Sequence, residues 1–257
     1  MMNRRKWVTG LALACLLALG ACRSGLAQSS DDLKKLREDV ATLKNDLKTI
    51  QEQQREILKR LNELEQAQRP DTVSVKGDPF LGDRGARVAM IEYGDFECPF
   101  CGKYMREVYP QIVANYVKTG KVKYYYRDLP LSMHPHAMPA ALAARCAGEQ
   151  GKYWQMHDSL FADQRALTEP DLESRGQALG LDVAKLGQCI ASKKYADRVH
   201  KDMSEADEMG VDGTPTFLLG TIGPGGDVVK IEKRVEGVAP YETMQSRLDE
   251  LLTSKEQ

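Results

Sequence analysis

Hydrophobic and polar positions divide the 257-residue chain into three stretches with different periods. Residues 7–21, WVTGLALACLLALGA, are uncharged and follow Arg4, Arg5 and Lys6. Residues 31–69 repeat every seven positions. Leu33, Val40, Leu47, Gln54 and Leu61 form one line, and Leu36, Leu43, Ile50, Ile57 and Leu64 form the line three residues later. Only Gln54 is polar among them, and no Gly, Pro or aromatic residue lies between Asp31 and Arg69. That pattern predicts a coiled-coil helix, stopped by Pro70. From residue 71 the period changes repeatedly. RVAMIEY (87–93) and VKYYYRDL (122–129) read as buried strands, and TFLLG (216–220) with VVKIEKRVEG (228–237) as a hairpin around Gly223, Pro224, Gly225 and Gly226. After Pro99, Tyr104, Met105, Val108, Ile112, Val113 and Tyr116 recur at helical spacing until Gly120, and 243–252 reads as a final amphipathic helix. Helical patterns fill most of the stretch between Leu129 and Gly213.

Charge adds an exclusion. Thirty-six Lys and Arg against 37 Asp and Glu leave a net charge of −1, which argues against a broadly basic nucleic-acid binder. The basic start, short apolar run and small residues at 1–21 describe a secretory signal, too short for an unaided membrane helix. Leu19-Gly20-Ala21-Cys22 resembles the bacterial lipobox, which would leave Cys22 first and lipid-modified. A competing cut after Ala27 fits ordinary signal peptidase. Residues 22–30 then read as a linker. Export would place the remaining cysteines where disulfides persist.

The rod at 31–69 would pair copies of this chain. In a parallel pair Asp32 faces Arg37 of the other copy, Asp39 faces Lys44, and Arg60 faces Glu65. The seam does not separate dimer from trimer. The alternative is one amphipathic helix folded back on the domain.

Residues 71–257 make one domain of ordinary size. Its chemistry centres on Cys98-Pro99-Phe100-Cys101, where a strand turns into a helix. Cys98 at the helix start meets unpaired N–H groups and the positive end of the macrodipole, which favours a thiolate. Cys101, one turn on, can close a disulfide with it and should be the more buried. Pro99 suits the first turn. A zinc site would need a second ligand pair, and Cys146 and Cys189 are 43 residues apart.

FECPFC between strand and helix, Gly213-Thr214-Pro215-Thr216-Phe217 leading a later strand, and Glu92 six residues before Cys98 resemble the thioredoxin-fold family, specifically its DsbA-like thiol:disulfide oxidoreductases. The resemblance implies an α/β thioredoxin fold with a helical insertion at about 130–213. It implies a cis Pro215 against the redox pair, with Thr214 offering backbone groups to a substrate peptide. It also implies a buried Glu92 that assists proton transfer at Cys101, and a structural disulfide between Cys146 and Cys189. Some strongly oxidising relatives have a histidine at Phe100, so a less oxidising pair is expected. His134 and His136 read as capping or surface residues, and His157 and His200 have no partner in the pattern.

No metal, nucleotide or flavin cofactor is implied. The expected function is an exported thiol:disulfide oxidoreductase of the cell envelope, acting on cysteine-containing exported proteins and reset by an unidentified membrane redox partner. The rod and Thr214 lean toward an oligomeric isomerase/reductase. The alternatives are a DsbA-type dithiol oxidase, or a lipid-anchored binding protein without catalysis.

Overall fold

The computed structural model describes residues 5–253, with side chains from residue 32 on except at 62 and 65–68. Two units separate at Gln68/Arg69. The first is one helix, α1 (Arg5–Gln68). It runs through residues 22–30, where the sequence reading places a linker. No proline interrupts that stretch, and Gly25 costs only about 1 kcal/mol relative to alanine in a helix. The side chains of the apolar run and of Cys22, and so the lipidation site, lie outside the described residues. Along the rod Leu33, Leu36, Val40, Leu43, Leu47, Ile50, Ile57, Leu61 and Leu64 are all exposed. At about 1.5 Å per residue the helix is about 96 Å long.

The second unit is built on one six-stranded sheet. Its strands are β1 (Thr72–Ser74), β2 (Phe80–Leu81), β3 (Val88–Gly94), β4 (Val122–Asp128), β5 (Thr216–Ile222) and β6 (Val228–Glu236), in the order β1-β6-β5-β3-β4-β2. β3 and β4 are parallel; every other neighbouring pair is antiparallel. The three central strands are buried on both faces, as their nearly unbroken apolar runs require. Strand alternation sends Val88, Met90, Tyr124, Tyr126, Phe217 and Leu219 into one core, and Ala89, Ile91, Tyr93, Tyr125 and Leu218 into the other.

The β3–β4 crossover carries α2 (Pro99–Glu107) and α3 (Tyr109–Ile112), then a π-helical turn at Val113–Val117. The sequence pattern predicts one helix to Gly120. The break comes at Val108, whose φ of −118° leaves the helical range just before Pro110, which has no N–H to donate. Five helices follow β4: α4 (Ala137–Gly148), α5 (Tyr153–Ala162), α6 (Glu169–Ala178), α7 (Val183–Ala191) and α8 (Ala196–Glu208); α9 (Tyr241–Thr253) ends the fold. The expected helical insertion is thus α4–α8. Cys146 on α4 and Cys189 on α7 are joined by a disulfide, with Cα atoms 5.9 Å apart.

A buried ionic cluster fixes that insertion to the sheet. Arg127 of β4 pairs with Asp78 at 2.6 Å and with Asp202 of α8 at 2.8 Å. Arg145 of α4 pairs with Asp128 of β4 and with Asp202, both at 2.6 Å. All five side chains are 6% exposed or less, so each charge depends on its partners.

Candidate active site

β3 leaves the sheet at Gly94 and turns within four residues. Asp95 builds the turn: its Oδ1 accepts the Glu97 N–H at 2.7 Å and its main-chain oxygen accepts the Cys98 N–H at 3.1 Å. Cys98 is the N-cap of α2, extended at φ −68°, ψ 122°, with Pro99 in the first turn. Gln164, from the segment after α5, lies across this end. Its Nε2 donates to the carbonyls of Phe96 and Cys98 at 2.9 and 2.8 Å. Gly102 makes room for it, because a Cβ there would stand 1.8 Å from Gln164 Oε1.

Cys98 and Cys101 are both free thiols; Cys98 is 3% exposed and Cys101 fully buried. Opposite them the Thr214–Pro215 peptide is cis, and the Cys98 thiol lies 3.5 Å from the Thr214 carbonyl, to which it donates. A cleft of about 260 Å³ lined by Asp212, Gly213, Thr214, Pro215, Thr216, Glu236 and Gly237 adjoins this contact. The expected pair and the expected proline loop are therefore in one place.

The two sulfurs differ electrostatically. A hydrogen bond from Cys101 comes first in holding Cys98 down, to about 5, against the opposing effect of burial; the Thr214 side chain and the backbone N–H groups of Cys101 and Phe100 add to it. Burial pushes Cys101 up, and the hydrogen bond to Cys98 and the charge of Glu92 push it further. Cys98 is thus the sulfur held as a thiolate and Cys101 the one held protonated.

Glu92 points into the same core as α2 and is fully buried. Burial raises it to about 8, partly offset by a hydrogen bond from the Tyr124 hydroxyl to Oε2; the Cys98 charge raises it as well. Among the described residues Oε1 makes no hydrogen bond, which leaves that oxygen to take or release a proton. A group poised near neutrality suits such exchange.

His134, read from sequence as a cap or surface residue, reaches this site: its Nδ1 is 2.7 Å from Asp95 Oδ2. His136 holds Glu97 through its backbone N–H at 2.6 Å. His157 is fully buried against Phe96, Tyr126, Trp154 and Phe161, with Nδ1 on Asp158 at 2.9 Å. Gln164 and Tyr124 also go unmarked in the sequence. The one local signal available was Asp95 two residues before Glu97, a spacing suited to an Asx-turn.

Comparison with known proteins places this geometry. A family model described as Thioredoxin matches residues 74–224. The chain is 40% identical over 143 residues to a protein named Na(+)/H(+) antiporter NhaA 1 of Salinispora arenicola, covering 55% of this chain and 21% of that protein. The chain therefore spans about a fifth of the length of such relatives. It is 26% identical over 198 residues to Disulfide bond formation protein D of Bacillus subtilis, covering 71% of this chain and 80% of that one. Among solved structures, Wolbachia pipientis alpha-DsbA1 matches with a TM-score of 0.61 and 26% identity, over 70% of this chain and 92% of that one. Bacillus subtilis BdbD matches in fold with a TM-score of 0.61 at 23% identity, over 72% of this chain and all of that one. The chain belongs to the thioredoxin family, and its fold, with the helices of α4–α8 inserted between β4 and β5, is that of the DsbA-like proteins.

Proposed function

We propose that the protein is an exported thiol:disulfide oxidoreductase that acts on cysteine-containing proteins of the cell envelope. The observation that carries this reading is the opposed ionisation of Cys98 and Cys101 beside Thr214–Pro215. In the dithiol form the Cys98 thiolate attacks a substrate disulfide and expels one substrate thiolate. In the disulfide form a substrate thiolate attacks Cys98 and expels Cys101. Either way a mixed disulfide joins Cys98 to the substrate, and Thr214, before the cis proline, offers its backbone to the substrate as an added strand. Cys101, its proton passed to Glu92, then resolves a mixed disulfide formed by the reduced enzyme. Two electrons and two protons move from the dithiol to the disulfide. Cys101→Ser should trap mixed disulfides that can be recovered from cells; a failure to form any with cysteine-containing proteins would count against the reading.

The exposed heptad seam supports pairing of copies through residues 31–69 and hence an oligomeric isomerase/reductase. A dithiol oxidase is the second reading. It is favoured by Cys98 at about 5, since a stabilised thiolate makes the disulfide more oxidising even with Phe100 in place of a histidine. Deleting 31–69 separates them: isomerase activity on scrambled substrates falls, oxidase activity does not. Lipidation at Cys22 and a membrane redox partner belong to the same proposal. A pure binding protein would be indifferent to Cys98→Ala. Among the described residues no helix is long and apolar enough to cross a membrane. Sodium–proton exchange is not carried over from relatives of which only a fifth is matched.

A further inference from the structure

The CPFC segment contains no cation of its own. The Phe100 side chain, between the cysteines, is 62% exposed and cannot stabilise a negative sulfur by charge or by donation. Lys103 turns the other way, toward Glu107 at 3.9 Å. A fully buried carboxylate, Asp95, meanwhile stands at the base of the same turn. An uncompensated buried carboxylate there would oppose ionisation of Cys98.

Asp95 is compensated from outside the motif. Its Oδ2 accepts the Leu131 N–H at 2.8 Å and the Nδ1–H of His134 at 2.7 Å. Two acids of the turn thereby hold the loop after β4, since Glu97 accepts the His136 N–H as well. The charged groups facing His134 are Asp95, Cys98 and Glu97, all from the β3–α2 turn. Partial burial works against protonation of His134, but the hydrogen bond to Asp95 and the charges of Asp95, Cys98 and Glu97 outweigh it, and its pKa is raised.

We propose that His134, seated on Asp95, is a positioning residue whose cation cancels the Asp95 carboxylate and so sets the thiolate content and redox potential of Cys98. The inference rests on reading Cys98 as the exchanging sulfur. On this reading the loop after β4 has a chemical role, since it brings to the helix start the positive charge that the CPFC motif lacks.

Charge and mere stapling are separable by substitution in the full chain. His134→Gln keeps a donor for Asp95 but removes the charge; His134→Ala removes both. Cys98 ionisation is followed by thiolate ultraviolet absorbance and by the pH profile of alkylation. Both variants should lower the Cys98 ionisation constant by about three- to tenfold. The equilibrium constant with glutathione should shift by the same factor, about 15–30 mV toward the reducing side. A Gln variant that titrates like the wild type, whether or not Ala is impaired, overturns the proposal in favour of a staple.

A second measurement needs no variant. Coupling between two sites is reciprocal. If protonated His134 favours the thiolate, oxidising Cys98 and Cys101 to the disulfide must lower the pKa of His134, read by NMR of labelled histidine. An unchanged His134 titration overturns the proposal. If the wild-type chain exchanges no disulfides, the redox reading fails, while these titrations still judge His134.

Discussion

Glu92→Gln offers the most quantitative test of the site. The Glu92 carboxyl is fully buried and raised from its ordinary 4.5 to about 8. A group whose folded pKa lies above its unfolded value favours folding fully below the unfolded pKa, and that benefit is lost as pH rises through the folded one. At about 1.4 kcal/mol per tenfold change in an ionisation constant, ionisable Glu92 costs about 3 kcal/mol at neutral pH and about 5 kcal/mol in the alkaline limit, relative to acid. Glutamine can still accept from Tyr124, and it does not titrate. Its amide N–H groups are poorly matched to the site and add a penalty of about 1–3 kcal/mol that does not vary with pH. The prediction therefore concerns slope. In urea unfolding of the reduced full chain, the variant should gain about 3 kcal/mol on the wild type between about pH 4 and pH 7, and continue to gain to about pH 9. Parallel stability curves for the two proteins would refute the placement of an ionisable carboxyl in this core. On the proposed function the same variant should resolve mixed disulfides more slowly, because Cys101 would lose its proton acceptor.

Four further outcomes are expected. Asp202→Ala removes the carboxylate shared by Arg127 and Arg145 and should cost about 3–5 kcal/mol in urea unfolding, with near-neutral loss contradicting the cluster's role. Reducing Cys146–Cys189 selectively, or replacing both residues by serine, reopens a loop of sequence separation 43 and should cost about 4 kcal/mol in the chain-entropy model, leaving exchange with glutathione unchanged. Alkylation of Cys98 should be flat at neutral pH and fall only as pH drops through about 5; an inflection near the free thiol value would reject the stabilised thiolate. Gly102→Ala should evict Gln164 from the Phe96 and Cys98 carbonyls, and its effect on exchange should match that of Gln164→Ala.

Much of the architecture was legible in the chain. Runs such as RVAMIEY and VKYYYRD read as buried strands and are buried on both faces, and a CxxC between strand and helix placed the cysteine pair at the start of α2. Other features were hidden by distance along the sequence. The burial of Arg127, Arg145 and Asp202 depends on partners 17 to 75 residues away that no local pattern reveals. His134 lies 39 residues from Asp95, and only the return of the chain after β4 brings them together. The α2–α3 break was foreshadowed by Pro110 but masked by the continuous apolar stripe around it. Helix α1 erased the expected linker, since the small and polar residues at 22–30 disfavour a helix only weakly.

The bond between α4 and α7 carries a consequence for how the domain matures. The second unit has four cysteines, and four allow three pairings. Cys98 and Cys101 are the nearest in sequence and meet as soon as the first turn of α2 forms, whereas Cys146 and Cys189 must wait until α4 and α7 are packed. A newly made domain must therefore sort its own thiols, keeping one pair exchangeable and locking the other. On the proposed function, the locked pair sets this domain the same chemical problem that Cys98 and Cys101 would solve in other chains, and a finished copy would act on an unfinished one.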